Sequence, residues 1–215
     1  MSTISQSYSE PVAKLLGLGG CRRGPDWIDY LELGFGQEHV PELVRMATDH
    51  GLHRAPSESL EVWGPIHAWR ALGQLHAETA IEPLLSILDP LDESDDDWFL
   101  EELPKVFRMI GAPAVGPLTR FLDDRIHGLF ARIAAISSLE EIGGYCKELR
   151  PACVKALVSK LERFRSNEAT LNSFLVSSLA DLYVPEALPL MRRAYAARCV
   201  DVSVIRWEDV AEAFG

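Results

Sequence analysis

The histidines and cysteines are the residues whose types could bind a metal ion or act as nucleophiles. His50 and His53 are three residues apart, so on a helix both would face one side and could bind a metal. Gly51 between them indicates that the helix has already ended. Cys146 and Cys153 are seven residues apart, about 10 Å along a helix, whereas a disulfide requires α-carbons within about 7 Å. We therefore predict no metal site, no cofactor and no catalytic residue, and four reduced cysteines.

The acidic segment 92–102 contains seven carboxylates in eleven residues and no base. It does not match an EF-hand loop, because it lacks the glycine of the sharp turn and its acids do not follow the EF-hand spacing. We expect these carboxylates to lie in a solvated loop beside the positively polarised N-terminus of the following helix. A docking patch for a basic partner and a weak divalent-cation site stay open as alternatives.

Helices must position these residues, because the chain repeats a six-residue pattern at the period of paired helices. Five hexapeptides begin at residues 42, 83, 117, 156 and 189, spaced 41, 34, 39 and 33 residues apart. The second place of each hexapeptide is a leucine: Leu43, Leu84, Leu118, Leu157 and Leu190. We therefore place the five hexapeptides on equivalent helices that share an apolar core.

A second pattern lies between the hexapeptides, where apolar residues recur at i, i+4 and i+7, as in Ala68, Leu72 and Leu75. This spacing indicates one face of an α-helix, and strand-like alternation is nearly absent. Asp26 would open one of the N-terminal helices. The predicted helices are 10–16, 26–33, 37–49 and 204–214, and the pairs 61–75 with 78–88, 97–111 with 113–123, 127–142 with 147–164, and 169–182 with 186–198.

These patterns predict a single all-α domain over residues 1–215. Residues 1–60 would form divergent N-terminal helices, residues 61–198 the paired repeats, and residues 199–215 a tail that caps the last repeat. Two places disturb the pattern. Pro104 either kinks the helix 97–111 or moves its start to near residue 103, and Gly143 with Gly144 is expected to break the third pair.

The stretch AWRALGQLHAETAIEPLL at 68–85 is similar to a HEAT-like repeat of the kind found in phycobilisome lyases. MIGAPAVGPL at 109–118 resembles the same unit, and DVSVIRWEDV at 201–210 resembles the tail of uncharacterised bacterial HEAT-repeat proteins. The resemblance covers roughly residues 61–198, although the third and fourth repeats lack the glycine at the helix junction. It implies a right-handed α-α superhelix of about four helix pairs, which serves in scaffolds, adaptors, lyase subunits and a few enzymes.

One enzymatic branch that HEAT-like repeats resemble, deoxyhypusine hydroxylase, holds its di-iron centre with repeated His-Glu pairs. This sequence contains no His-Glu dipeptide. The di-iron activity is therefore excluded.

The fourth place of each hexapeptide is always arginine or serine, and we call these five residues the outer stripe: Arg45, Ser86, Arg120, Ser159 and Arg192. Each lies two residues after the core leucine, so its side chain points away from the core. On the concave face of a superhelix, the three arginines could bind carboxylates of a partner through bidentate hydrogen bonds. Alternatively they pair with acids on adjacent repeats and hold the stack in register. Glu42, Glu82 and Glu162 are the candidate partners.

Trp63 and Trp98 stand at predicted helix starts. A partly exposed tryptophan at a groove edge is a favoured anchor for a protein partner, so we include both among the candidate binding residues. Packing into the core is the alternative for each ring.

Composition and charge limit the classes of function that the protein could have. The chain has 215 residues and a net charge of −11; residues 1–144 contain 11 basic and 23 acidic side chains, and residues 145–215 contain 10 and 9. Such an acidic protein is poorly suited to bind a nucleic-acid backbone. The N-terminus has no basic and apolar leader, and no apolar run is long enough to span a membrane, so we expect a cytoplasmic protein.

We therefore predict a non-catalytic scaffold or adaptor that binds a still unidentified protein or peptide along the concave face. The alternative that the resemblance implies is a phycobilisome-lyase-like subunit acting on a bilin or a modified protein. A nucleic-acid binder is the least favoured class.

Overall fold

The structure is a computed structural model, and it describes residues 8–21, 27–94 and 97–215. These residues form α-helices and short 3₁₀ turns and contain no strand, which confirms the all-α class. None of the described helices has the length and apolar character that a membrane span requires; the longest has 17 residues.

Twelve α-helices lie within the described residues. They are α1 (Val40–Ala47), α2 (His50–His53), α3 (Gly64–Gln74), α4 (Ile81–Ser86), α5 (Leu88–Glu93), α6 (Trp98–Ile110), α7 (Ala112–Asp123), α8 (Leu129–Tyr145), α9 (Arg150–Leu161), α10 (Ala169–Asp181), α11 (Leu188–Ala196) and α12 (Trp207–Phe214). Short 3₁₀ turns occur at Val12–Gly17, Gln37–His39, Glu61–Trp63, Glu78–Ala80 and Pro185–Ala187. The predicted pairs correspond to α3 with α4, α6 with α7, α8 with α9, and α10 with α11.

The predicted N-terminal helices differ most from the structure. A 3₁₀ turn at Val12–Gly17 replaces the helix predicted for 10–16, and the helix predicted for 26–33 is absent from the described residues 27–33. Asp26 lies outside the described residues. The side chain of Asp29 instead accepts hydrogen bonds from the backbone N–H groups of Leu31 and Glu32, and Gly34 follows with φ of 89°. These local bonds favour a turn over a helix.

Two predicted disturbances inside the pairs have different outcomes. α6 begins at Trp98 and continues through Pro104, so a start near residue 103 is wrong. The junction of the third pair lies just past Gly144, because α8 continues to Tyr145 and α9 begins at Arg150. A Cβ atom on Gly143 would lie 3.1 Å from the Cβ of Cys153, so this glycine allows α8 and α9 to pack closely.

The helices pack in two layers. The first-helix layer consists of α3, α6, α8 and α10, each in contact with the next, and in the second-helix layer α4 contacts α7 and α7 contacts α9. All five hexapeptide leucines are buried in the core. At the C-terminal end α12 packs on α10, with Val210 buried and the ring of Phe214 stacked on that of Tyr183.

The two layers are buried to different degrees. In α3 every residue from Gly64 to Gly73 is buried, whereas α7 buries a single stripe formed by Ala114, Leu118, Phe121 and Leu122. A helix with one buried stripe exposes its opposite face to solvent. The second-helix layer therefore provides most of the helical surface on which a partner could bind.

Candidate binding surface

The structure places all five residues of the outer stripe on the exposed face of a helix. Arg45 lies on α1, Ser86 on α4, Arg120 on α7, Ser159 on α9 and Arg192 on α11, and each side chain is exposed. The leucine two residues earlier is at most 7% exposed in every case. The stripe thus has the orientation that the hexapeptide pattern predicts.

Two of the stripe arginines contact acids. Arg45 Nη2 lies 2.8 Å from Glu42 Oε1, and its guanidinium lies over the ring of Tyr8. Arg120 Nη2 lies 3.4 Å from Glu82 Oε1 on the preceding helix pair. The register-holding alternative names both acids, but only the Arg120–Glu82 contact joins two helix pairs, because Glu42 and Arg45 lie on the same helix.

The other stripe residues differ. Ser86 Oγ donates a hydrogen bond to the backbone oxygen of Pro83, and Ser159 is exposed on α9. The guanidinium of Arg192 lies 5.1 Å from the ring centre of Trp207. Glu162, the third candidate acid, lines a groove described below.

Trp63 and Trp98 lie in contact with each other. Their ring centres are 5.0 Å apart in an edge-to-face arrangement, and both half-buried rings pack against the core. Such a pair is a favourable aromatic contact in its own right. The two rings therefore join the start of α3 to the start of α6 and do not lie on the outer stripe.

An apolar groove opens between α9 and α11 in the second-helix layer, and we call it the second-helix groove. It has a volume of about 570 Å³. Its apolar walls include Val154 and Val158 of α9 and Leu190 of α11. Charged side chains of both signs also line it: Lys155, Glu162, Glu186 and Arg193. The sequence signal that could have revealed it is the surplus of apolar residues on α9, where Val154 and Val158 lie beside the fully buried Cys153 and Leu157.

A buried polar cluster around His67 was not predicted from the sequence. His67 Nε2 lies 2.9 Å from the backbone oxygen of Gly19, and Nδ1 lies 2.6 Å from the hydroxyl of Tyr30. Because a carbonyl oxygen only accepts, Nε2 carries the hydrogen and Nδ1 accepts from Tyr30. Burial lowers the pKa of His67, which favours this neutral form.

Two further groups complete the cluster. Arg70 donates to both carboxylate oxygens of Glu102 at 2.7 and 2.9 Å, with both side chains almost fully buried, and it also hydrogen-bonds Tyr30. Cys21 Sγ lies 3.6 Å from both ring nitrogens of His67, which already contact Gly19 and Tyr30. Burial raises the pKa of the Cys21 thiol to about 11.

This cluster therefore holds a neutral thiol and a neutral imidazole, which is the opposite of an activated cysteine–histidine pair. Its physical effect is to fasten the N-terminal segment to α3 and α6. Within the described residues, no group of three or more His, Cys, Asp and Glu side chains is arranged to hold a metal ion.

Some carboxylates of the acidic segment 92–102 form hydrogen bonds and an ion pair with other helices. Asp92 Oδ2 accepts hydrogen bonds from the backbone N–H groups of Phe130 and Ala131 at the start of α8. Asp92 on α5 therefore caps α8, whereas Asp97 at the N-cap and Glu101 in the first turn lie at the start of the following helix α6, as the sequence predicts. Glu102 pairs with Arg70, and Asp95 and Asp96 lie outside the described residues.

A family model described as "Protein of unknown function (DUF1186)" matches residues 62–215, which is more than half of the chain. The chain belongs to this family. The DUF1186 region contains α3 to α12 and the second-helix groove, whereas Gly19, Cys21 and Tyr30 precede it. No curated protein and no solved structure matches the chain.

Proposed function

We propose that the protein is a non-catalytic adaptor whose helix pairs form a right-handed HEAT-like superhelix and whose second-helix groove binds an amphipathic helix of a partner protein. The observation that carries this proposal is the second-helix groove itself. Its volume of about 570 Å³ and its apolar walls suit the side chains of one helix face.

The contacts between helix pairs support the superhelix. Arg70 and Glu102 are 32 residues apart, Arg132 and Glu168 are 36 apart, and Arg120 and Glu82 are 38 apart. These separations lie close to the hexapeptide period of 33 to 41 residues. Contacts about one period apart thus link α3 to α6, α4 to α7, and α8 to the start of α10, as expected of stacked repeats.

The shape and charge of the groove support an amphipathic occupant. α9 and α11 scarcely touch, in contrast to α4 with α7 and α7 with α9, so an apolar channel is left between two fully described helices. Lys155 and Arg193 supply positive charge beside it, and Glu162 and Glu186 supply negative charge. An amphipathic helix would bury its apolar face between α9 and α11 and pair its flanking charges with these four residues.

The outer stripe contributes to this surface mainly at its C-terminal end. Ser159 and Arg192 are neighbours in sequence of the groove-lining residues Val158 and Arg193. Arg45 and Arg120 are already engaged with acids of the chain itself. We therefore expect Arg192→Glu to weaken partner binding, whereas Arg45→Glu and Arg120→Glu leave it nearly unchanged.

A phage-displayed library of random peptides, selected on the purified protein, tests the proposal. We expect enriched peptides with apolar residues at helical spacing, and we expect Val158→Asp or Arg193→Glu to reduce their affinity by about tenfold or more. Val202→Asp is the matched control, because Val202 is 60% exposed and lies away from the groove. Circular dichroism verifies that each variant keeps its helices.

Three results would contradict the proposal: no enriched peptide, enriched peptides that bind Val158→Asp and Arg193→Glu as tightly as the wild type, or peptides lost equally in the Val202→Asp control. Incubation with a bilin tests the lyase alternative, for which we expect no chromophore-bound species in the absorbance spectrum.

A further inference from the structure

A second groove, which we call the edge groove, opens where the first helices end. Its larger part has a volume of about 500 Å³ and includes Trp27, His76 and Met109 in its walls. Its smaller part has about 250 Å³ and includes Glu140, Glu141 and Asp181. Arg108 and Tyr145 line both parts. The edge groove shares no lining residue with the second-helix groove.

Four helices direct their C-terminal ends to the edge groove. Gln74 ends α3, Met109 lies one residue before the end of α6, Tyr145 ends α8 and Asp181 ends α10. A helix C-terminus carries partial negative charge from its last carbonyl groups, and basic side chains in the last turn usually offset it. In these four fully described helices, Arg108 is the one basic residue in a last turn, and at the end of α10 Arg150 of α9 donates to the backbone oxygens of Leu182 and Tyr183.

Carboxylates add to this negative charge. Glu140 and Glu141 lie near the end of α8, and Asp181 is the final residue of α10, which is the reverse of the usual preference for cations at these positions. Burial raises the pKa of Glu140, a hydrogen bond from Ser178 lowers it, and the neighbouring Asp181 and Glu141 raise it further. The edge groove therefore holds closely spaced negative charge that a cation would stabilise.

Arg108 shows what kind of cation the edge groove accommodates. Its guanidinium lies 3.1 Å from Glu141 Oε2 and 4.9 Å from the ring centre of Tyr145. A carboxylate together with an aromatic ring is a favourable environment for a guanidinium or ammonium group. Tyr145 is 77% exposed, so its ring remains accessible to a second cation.

We propose that the edge groove binds a basic segment of a partner protein, with a lysine or arginine side chain held between the exposed ring of Tyr145 and the carboxylates of Glu140 and Asp181. The apolar surfaces of Trp27 and Met109 would contact the methylene groups of that side chain and its neighbours. This surface is additional to the second-helix groove and would allow the adaptor to hold two segments at once.

Fluorescence anisotropy with labelled octa-arginine, at about 0.15 M salt, tests this proposal. We expect octa-arginine to bind and a labelled Gly-Ser peptide of equal length not to bind. Tyr145→Ala and Asp181→Asn should each raise the dissociation constant about tenfold, and Tyr145→Phe should retain binding because it keeps the ring.

Matched controls separate this site from general attraction to an acidic protein. Phe130→Ala removes a 44% exposed ring from the opposite end of α8, and Glu93→Gln removes an exposed charge on α5. Both should change the dissociation constant less than about twofold. Val158→Asp should also leave octa-arginine binding intact, so failure of the second-helix groove and failure of the edge groove are distinguishable.

Three outcomes would overturn the proposal. They are the absence of octa-arginine binding by the wild type, unchanged binding by Tyr145→Ala and Asp181→Asn, or an equal loss in Phe130→Ala and Glu93→Gln.

Discussion

The first-helix layer and the second-helix layer use their polar residues in opposite ways. In the first-helix layer, Arg70 and Glu102 form a bidentate pair with 2% and 0% of the side chains exposed. In the second-helix layer, Arg120 and Glu82 form a pair with 70% and 72% exposed. Both pairs join an arginine to a glutamate one helix pair away. The pair in the first-helix layer is part of the buried core, whereas the pair in the second-helix layer lies on the solvated surface.

Neutralising the glutamate of each pair should give the largest difference in the free energy of unfolding between the two layers. Glu102→Gln removes the bidentate carboxylate partner of the buried Arg70 charge, so we expect the free energy of unfolding to fall by about 3–5 kcal/mol. Glu82→Gln should change it by about 0–1 kcal/mol, because its partner is solvated. Urea denaturation followed by circular dichroism measures both. Equal effects in the two variants would show that burial does not distinguish the layers.

Glycine-to-alanine substitutions are expected to change the free energy of unfolding by a smaller amount, and with opposite sign in the two layers. A Cβ on Gly73 would lie 3.3 Å from the Cα of Val106 in α6, so Gly73→Ala should destabilise the protein by about 1–3 kcal/mol. A Cβ on Gly116 in α7 would have its nearest contact at 3.6 Å, with the flexible Arg120. Gly116→Ala should therefore stabilise by about 0.5–1 kcal/mol, as expected at an exposed helix position. Thermal and urea unfolding of both variants provide the measurement, and stabilisation by Gly73→Ala would count against close packing of α3 on α6.

The smallest expected effect is a pH dependence of the free energy of unfolding. The folded protein holds His67 neutral with a lowered pKa, whereas the unfolded chain binds a proton as the pH falls below about 6.5. The free energy of unfolding should therefore decrease from pH 6.5 downward, until the folded state also binds the proton. His67→Gln should show a shallower decrease between pH 7.5 and 5.5, while His50→Gln, at an exposed position, should follow the wild type. Identical slopes for His67→Gln and wild type would contradict the assignment of a neutral His67.

The sequence predicted the second-helix layer well because its helices bury one stripe each. The recurring leucines locate that stripe, and the exposed position of Arg120 follows from its spacing after Leu118. The first-helix layer was harder to interpret in detail. α3 is buried on every side, so periodicity within it does not show that Arg70 meets Glu102 or that His67 meets Tyr30. Such pairings depend on how distant segments pack together.

The N-terminal segment and the two grooves were missed for related reasons. The turn at 29–34 depends on local hydrogen bonds to the side chain of Asp29. The side chain of Gln74 accepts a hydrogen bond from the backbone N–H of Tyr30, and the two residues are 44 positions apart in the sequence. The grooves result from the spacing between helices, which a one-dimensional pattern does not contain. The carboxylates Glu140 and Asp181 at helix C-termini could nevertheless have indicated the edge groove from the sequence, because helices usually carry cations at these positions.

The cap that Asp92 provides for α8 has a consequence for how the molecule unfolds. The first N–H groups of α8 donate hydrogen bonds to the carboxylate of Asp92 on α5, and the backbone N–H of Gly128 donates to Asp89 on the same helix. α5 thus contributes to the stability of α8, so we expect loss of α5 to weaken α8. Such nearest-neighbour coupling favours one concerted melting transition over separate fraying of individual hairpins.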